Sequence, residues 1–344
     1  MSNSIINSSP LSFPWQTEDP FLFCVYHEDF YPVGDDNLGP GYDLIRHRNL
    51  GEDFEIRDGF RMYHGTVIPG FPAHPHRGFE TVTVVKKGLV DHCDSFGGAA
   101  RYGNGDTQWL TAGAGVQHSE MFPLLNKEKE NPLELFQIWL NLDSKNKMAA
   151  PHYKMFWRED QPQYDIDDTN QLTVTIKVTA GDFQNDPALT PPPNSWASNK
   201  ENCVCIWELE FEANAEFTLP SSLKGVNRNL YFFKGESYSI DDFQINQHSR
   251  VKLNPEGDIT IKAGATPCRF LLLQGKPINE PVEQYGPFVM NTREEVSNAI
   301  RDYQMTEFGG WPWTTSDPTH GHKKGRFAKF PDGSSEVKDK SVKF

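Results

Sequence analysis

The sequence predicts an all-β protein: two antiparallel β-barrels followed by one short C-terminal helix. Three observations lead there. The 344 residues include 25 prolines and 27 glycines, which punctuate many short Val-, Ile-, Phe- and Trp-rich runs of strand length. Cys203, Cys205, Trp207, Leu209 and Phe211 alternate with Glu208 and Glu210, the period of a strand with one face in a core. A weak internal echo points to duplication: Val82 to His92 runs apolar strand, Lys-Gly turn, strand, and Leu230 to Ile240 repeats that order through Phe232, Phe233, Lys234 and Gly235. A chain of this length exceeds the usual size of one core and is comfortable as two domains.

Taken in order, residues 1–40 are rich in Ser, Asn, Pro and aromatics without a sustained period, which predicts an irregular arm packed through Phe21, Phe23 and Tyr31. The first barrel is expected over 41–150, with strands at 80–85, at 89–92 after a Lys87-Gly88 turn, at 107–111 and at 133–142. The second barrel is expected over 151–290, with strands at 172–178 and 203–211 on either side of a loop at 185–200 that holds Pro187, Pro191, Pro192 and Pro193. Residues 291–344 combine a helix and a tail. Thr292-Arg293-Glu294-Glu295 fits a capping box, and Val296, Ala299, Ile300 and Tyr303 follow at helical spacing, so a helix is expected over 292–304. Beyond Gly309-Gly310-Trp311-Pro312-Trp313 the chain turns polar and Lys-rich, which predicts a poorly ordered tail.

A net charge of −14 repels polyphosphate and argues against a broad nucleic-acid surface, so the expected partner is a small molecule. Five scattered cysteines, and no basic-then-apolar leader at Met1-Ser2-Asn3-Ser4, predict a reducing cytoplasmic setting, or a nuclear one in a eukaryotic cell. The densest apolar run, Phe270-Leu271-Leu272-Leu273, ends far short of a membrane span, and a soluble monomer is expected.

Two runs hold the chemistry, Ala73-His74-Pro75-His76-Arg77-Gly78-Phe79-Glu80 and Gly113-Ala114-Gly115-Val116-Gln117-His118-Ser119-Glu120. Each offers metal-type ligands at i, i+2, a spacing that points both side chains to one face of a strand. If the two strands lie side by side, three imidazoles and a carboxylate converge. One His-x-His could be a surface feature, but a second His-x-Glu after a glycine-rich turn makes one divalent transition metal the better reading. The carboxylate stays open at this point: Glu80 shares parity with His74 and His76, unless Pro75 and Gly78 bulge the strand, and Glu120 shares parity with His118. Without cysteine ligands a closed structural zinc site is disfavoured, and Fe, Ni, Mn, Co, Cu or catalytic Zn all suit the set. His92 reads as a satisfied barrel histidine, Cys203-x-Cys205 as small core residues, and His320-x-His322 as part of a solvated segment.

The chain resembles the pirin family of the cupin superfamily. Besides His74-Pro75-His76-Arg77-Gly78-Phe79-Glu80-Thr81-Val82-Thr83, it has Gly105-Asp106-Thr107-Gln108-Trp109-Leu110-Thr111-Ala112-Gly113, His118-Ser119-Glu120-Met121, Gln137-Ile138-Trp139-Leu140-Asn141-Leu142, and Gln284-Tyr285-Gly286-Pro287-Phe288-Val289-Met290-Asn291-Thr292. The resemblance implies a bicupin, two cupin-type antiparallel barrels, with a single metal, most simply Fe(II), in the first barrel and none in the second. It implies His74, His76, His118 and Glu120 as the metal ligands and leaves Glu80 a structural role. Ala114 departs from the family's Ala-Gly-Arg-Gly pattern, removing a cation beside the ligand loop.

The activity implied is a metal-dependent dioxygenase acting with O₂ on a small aromatic substrate, a flavonol of the quercetin type. Glu120 would act as ligand and base, with Phe79, Trp109 and Phe122 as candidate aromatic walls. The resemblance also implies a runner-up: an iron-binding, redox-sensitive protein that modulates a transcription factor or metabolic enzyme by contact. A cupin isomerase or epimerase acting on a sugar is a third, weaker option. Fold alone does not separate them.

Overall fold

The computed structural model describes residues 4–340, and the chain forms two compact units, each assembled from several segments. One unit, the first barrel, takes 26–137, 144–158 and the residues from 280 on; the other, the second barrel, takes the residues up to 25, 138–143 and 159–279. Contiguous boundaries at 40, 150 and 290 therefore do not coincide with the units. Among the described residues, no helix is long and apolar enough to cross a membrane.

The first barrel is a sandwich of two facing sheets. The six-stranded sheet runs Ser335–Val337, Phe327–Lys329, Ala99–Gly103, Leu89–Asp94, Val116–Met121, Gly70–His76. The five-stranded sheet runs His152–Phe156, Thr107–Thr111, Phe79–Lys87, Asn131–Asn141, Phe21–Tyr31. Val90, Tyr102 and Val116 from one and Val85, Leu110 and Leu135 from the other share one buried core. Each such side chain contributes about 1.5–3 kcal/mol by leaving water. The second barrel repeats the plan. Its seven-stranded sheet contributes Leu209, Leu230 and Leu272, and its four-stranded sheet Phe217, Ile240 and Ile261, to a shared core. In both units the sheets stop short of a closed cylinder.

The predicted alternation holds in Cys205–Phe211, where Cys205, Trp207, Leu209 and Phe211 all reach the core, while Cys203 lies before the strand at φ 51°. The internal echo is a shared crossover. Phe79–Lys87 passes through Gly88 to Leu89–Asp94 in the opposite sheet, and Asn227–Lys234 passes through Gly235 to Tyr238–Ile240 in the opposite sheet. Both glycines have positive φ, 80° and 116°, which the tight passage between sheets requires.

Two expectations fail. The stretch before residue 40 is not irregular: Ile5–Pro10 pairs antiparallel with Ser249–Leu253, and Phe21–Tyr31 joins the five-stranded sheet. Ile5–Pro10 is an edge strand held by backbone bonds, so its polar side chains show no alternation to read. The tail is not loose either. Phe327–Lys329 pairs with Ala99–Gly103, and the Arg326 guanidinium is buried against Asp106 (2.7 Å) and Asp339 (2.6 Å). Residues 341–344 lie outside the described residues.

The helix forms as its capping box predicts, over Arg293–Thr306, with the Thr292 hydroxyl accepting the Glu295 N–H (3.2 Å) and Val296 and Ala299 buried. Replacing Thr292 with alanine removes that acceptor. The expected loss is about 1 kcal/mol, read from chemical denaturation, and Thr292→Ser should retain most of it.

Candidate metal centre

The strand Gly70–His76 lies antiparallel to Val116–Met121, pairing His74 with His118. The ladder shifts between Phe71, opposite Glu120, and His74, opposite His118, so three steps on one strand match two on the other. This bulge sits at Pro72-Ala73, two to three residues before the expected Pro75, and directly precedes His74. On its other side the His118 strand pairs with Leu89–Asp94, placing His92 opposite Glu120. Register thus brings both sequence runs to one place, with the i, i+2 spacing facing inward.

The ligand nitrogens of His74, His76 and His118 lie within 4.8 Å of one another, with ring centroids 4.5–4.9 Å apart. The Nδ1–H of His74 donates to the Pro72 carbonyl at 2.8 Å, which leaves Nε2 as the nitrogen with a free lone pair. His76 donates a ring N–H to the Pro287 carbonyl. His118 is fully buried, and neither ring nitrogen has a hydrogen-bond partner. A buried imidazole left without partners is costly unless something else binds it, and a metal ion would satisfy it. Burial holds the imidazolium form down in all three, to about 4 for His74 and well below the usual value for His76 and His118, and neighbouring imidazoles push the same way: His64 and His92 on His74, His74 on His76, and His74, His76 and His92 on His118. Neutral rings with available lone pairs are what a metal requires.

Glu120 stands beside this triad, its Oε2 4.0 Å from the Nε2 of His118. Gln137 Nε2 donates to Oε2 at 2.9 Å, and Thr83 Oγ1 lies 3.0 Å from Oε1 and 2.8 Å from the Gln137 Oε1. Burial pushes the Glu120 carboxyl up, while His92 and the hydrogen bonds from Thr83, Gln137 and Tyr102 pull it back. Glu80 is elsewhere. The His strand ends at His76, and the chain turns at Gly78, where φ is 86° and a Cβ would lie 1.9 Å from the Val289 carbonyl. Glu80 therefore starts the Phe79–Lys87 strand of the opposite sheet, fully buried and bonded by the Thr111 hydroxyl at 2.6 Å.

Thr83, Gln137 and Tyr102 were not expected as site residues. Only position within the quoted runs could have flagged the first two, since neither is a metal-type ligand. Replacing Gln137 with leucine frees the Glu120 carboxylate to rotate; metal affinity should fall about 10- to 100-fold, measured by competition with a chelator.

The walls are partly as expected. Phe79 packs edge-on to His76 at 5.1 Å, whereas Trp109 packs on Phe156 and Phe122 on Tyr63 and Phe71. Phe71, half-buried, is the aromatic ring facing His74, at 6.2 Å. His92, expected as a satisfied barrel histidine, is only half satisfied: its Nε2 lies 3.3 Å from Asp94, while its buried Nδ1 has no hydrogen-bond partner. At Ala114 the missing arginine has a local substitute: the buried Arg77 donates to the Ala114 carbonyl (2.7 Å), pairs with Asp302 (2.8 Å) and lies over the Phe308 ring.

Residues 42–140 match the family model described as Pirin, and 206–309 match the one described as Pirin C-terminal cupin domain. The chain is 35% identical over 258 residues to Pirin of Mus musculus, spanning 73% of this chain and 81% of that protein. It is 36% identical over 243 residues to a Pirin-like protein of Solanum lycopersicum, spanning 70% and 77%. Among solved structures it is similar to quercetin 2,3-dioxygenase from Acinetobacter baumannii, with a TM-score of 0.68 and 26% identity over 89% of this chain and 98% of that one. Two facing-sheet units in the expected order, each matched by its own half of the family pattern, and identity above a third across most of a relative's length lead to one conclusion: the chain belongs to the pirin family of bicupins.

Proposed function

We propose that this chain is a metal-dependent dioxygenase that opens a flavonol of the quercetin type with O₂, with His74, His76, His118 and Glu120 holding one metal, most simply Fe(II). The observation that carries the reading is the buried histidine triad with a carboxylate beside it, in a chain whose fold is that of a quercetin 2,3-dioxygenase. A metal bound there would supply Lewis acidity toward an enol hydroxyl and one-electron chemistry toward O₂. The protein's own part is positional. Thr83 and Gln137 hold the Glu120 carboxylate, whose basicity is raised by burial, so that it can take the proton of the substrate hydroxyl. Phe71, half-buried, offers an apolar surface beside His74 for a flat ring, while the fully buried Phe79 packs behind His76.

The test is an oxygen-electrode assay of iron-loaded protein with quercetin. Substrate-dependent O₂ uptake that disappears in the chelated protein supports the enzyme. No uptake, together with a protein partner retained in one iron oxidation state only, would replace it with the redox-sensitive interaction role. Phe71→Ala should raise KM about tenfold with kcat little changed, because it removes apolar contact made equally in ground and transition states.

A further inference from the structure

The second barrel contains a cavity of about 410 Å³ that the chemistry above does not use. That volume is in the range of small-molecule sites. Its wall is apolar at Leu189, Val204 and Trp207, polar at Arg228, Gln274 and Ser222, and carries the Lys200–Asp182 ion pair (2.6 Å). Arg228 is 2% exposed. Its Nε donates to the Gln274 Oε1 at 2.5 Å and its Nη2 to the Pro220 carbonyl at 2.8 Å, while Nη1 has no hydrogen-bond partner. No carboxylate pairs with it among the described residues. Gln274 is itself fixed, its amide donating to the Cys203 carbonyl at 3.1 Å and to the Cys205 sulfur at 3.4 Å. The fork is therefore held on two sides, and its third edge, Nη1, is buried and unsatisfied.

We propose that this cavity binds a small organic carboxylate, whose charge is met by the unsatisfied Nη1 of Arg228 and whose apolar body lies against Trp207, Val204 and Leu189. A buried guanidinium without a counter-ion is unfavourable, and an anionic ligand removes the penalty with charge-assisted hydrogen bonds. Lys200 is neutralised by Asp182, which leaves Arg228 as the cation of the lining without a carboxylate partner, and one such cation beside apolar walls suits a monoanion with a hydrophobic body better than a phosphate dianion. The site shares no residue with the histidine triad.

The test follows the fluorine NMR signal of 4-fluorobenzoate titrated with the full-length protein, both metal-loaded and as the His118→Ala variant, so that coordination to a metal is separated from this cavity. 4-Fluorobenzamide serves as the neutral isostere and inorganic phosphate as a competitor. Expected are saturable binding of the benzoate to both proteins, at least tenfold weaker binding of the benzamide, and at least a tenfold loss in Arg228→Gln. Ser222→Trp, which fills the cavity and keeps the arginine, should lose binding equally and decides the matter if Arg228→Gln does not fold. No benzoate binding, equal binding of the amide, binding retained in the variant that folds, or binding of phosphate alone would each overturn the proposal.

Discussion

Replacing His118 with alanine should lower bound metal from about one ion per chain to under a tenth of that, measured by elemental analysis after loading and desalting. O₂ uptake with quercetin should fall by at least about 10²-fold, since loss of one of three imidazoles breaks the coordination set. The fold should survive. His118 is fully buried and neither ring nitrogen makes a hydrogen bond, so alanine removes two unsatisfied polar atoms while it opens a small void. Those effects oppose one another, and thermal unfolding of the metal-free protein should shift by only a few degrees. His76→Ala should behave alike. The carboxylate is tested in the same way, by Glu120→Gln against Glu80→Gln. The first should weaken metal binding, and the second should leave it intact while costing stability through its bond with Thr111. Stoichiometric metal in His118→Ala, or equal metal loss in the two glutamate variants, would sink the ligand assignment.

The histidine pairs were legible because strand period and ligand spacing coincide: i, i+2 is both one face of a strand and the bite of two ligands. Choosing between Glu80 and Glu120 was not, from the residues alone. Parity arguments assume an unbroken strand, and the break at Gly78 depends on the Val289 carbonyl from more than two hundred residues away. The helix and the Cys205–Phe211 strand were legible for a related reason, since local caps and alternation specify them. The edge strand Ile5–Pro10 and the tail were not. Hydropathy counts a charged residue as exposed, and Arg101, Asp91, Asp106 and Arg326 are all buried because each meets its counter-charge across a long stretch of sequence or a sheet. Thr83 and Gln137 escaped notice because neither is a metal-type ligand and both touch the site only through Glu120.

Arg101→Met should be the most destabilising single change outside the core. Arg101 and Asp91 are fully buried neighbours on paired strands, joined by two hydrogen bonds of 2.6 Å in a fork. The remaining Arg101 nitrogen donates to the carbonyls of Gly321 and Lys324 at 2.7 Å, and the His320 N–H donates to Asp91 at 2.8 Å. One ion pair thus ties the segment 320–324 to the six-stranded sheet. Methionine fills the volume but leaves a buried carboxylate without its cation, at a cost of about 3–5 kcal/mol. At about 2–4 °C per kcal/mol for a unit of this size, the midpoint should drop by about 10 °C. Lys323 and Lys324 are already exposed, and once the segment is released its backbone can enter a protease cleft, so trypsin should cut there under native conditions, as it should not in the parent. The double variant Arg101→Met, Asp91→Leu removes both charges and should recover most of the stability while the segment stays cleavable, because the carbonyls of Gly321 and Lys324 still lack their donor. A midpoint loss under about 3 °C, with the segment still protected, would mean that sheet pairing at Phe327–Lys329 holds the tail without the ion pair. The strand that carries Asp91 also carries His92, opposite Glu120, and the His92 carbonyl is bonded by His320. Loosening the tail therefore loosens the strand against which the metal-site strand is registered, and metal affinity in Arg101→Met should fall although no ligand has been touched.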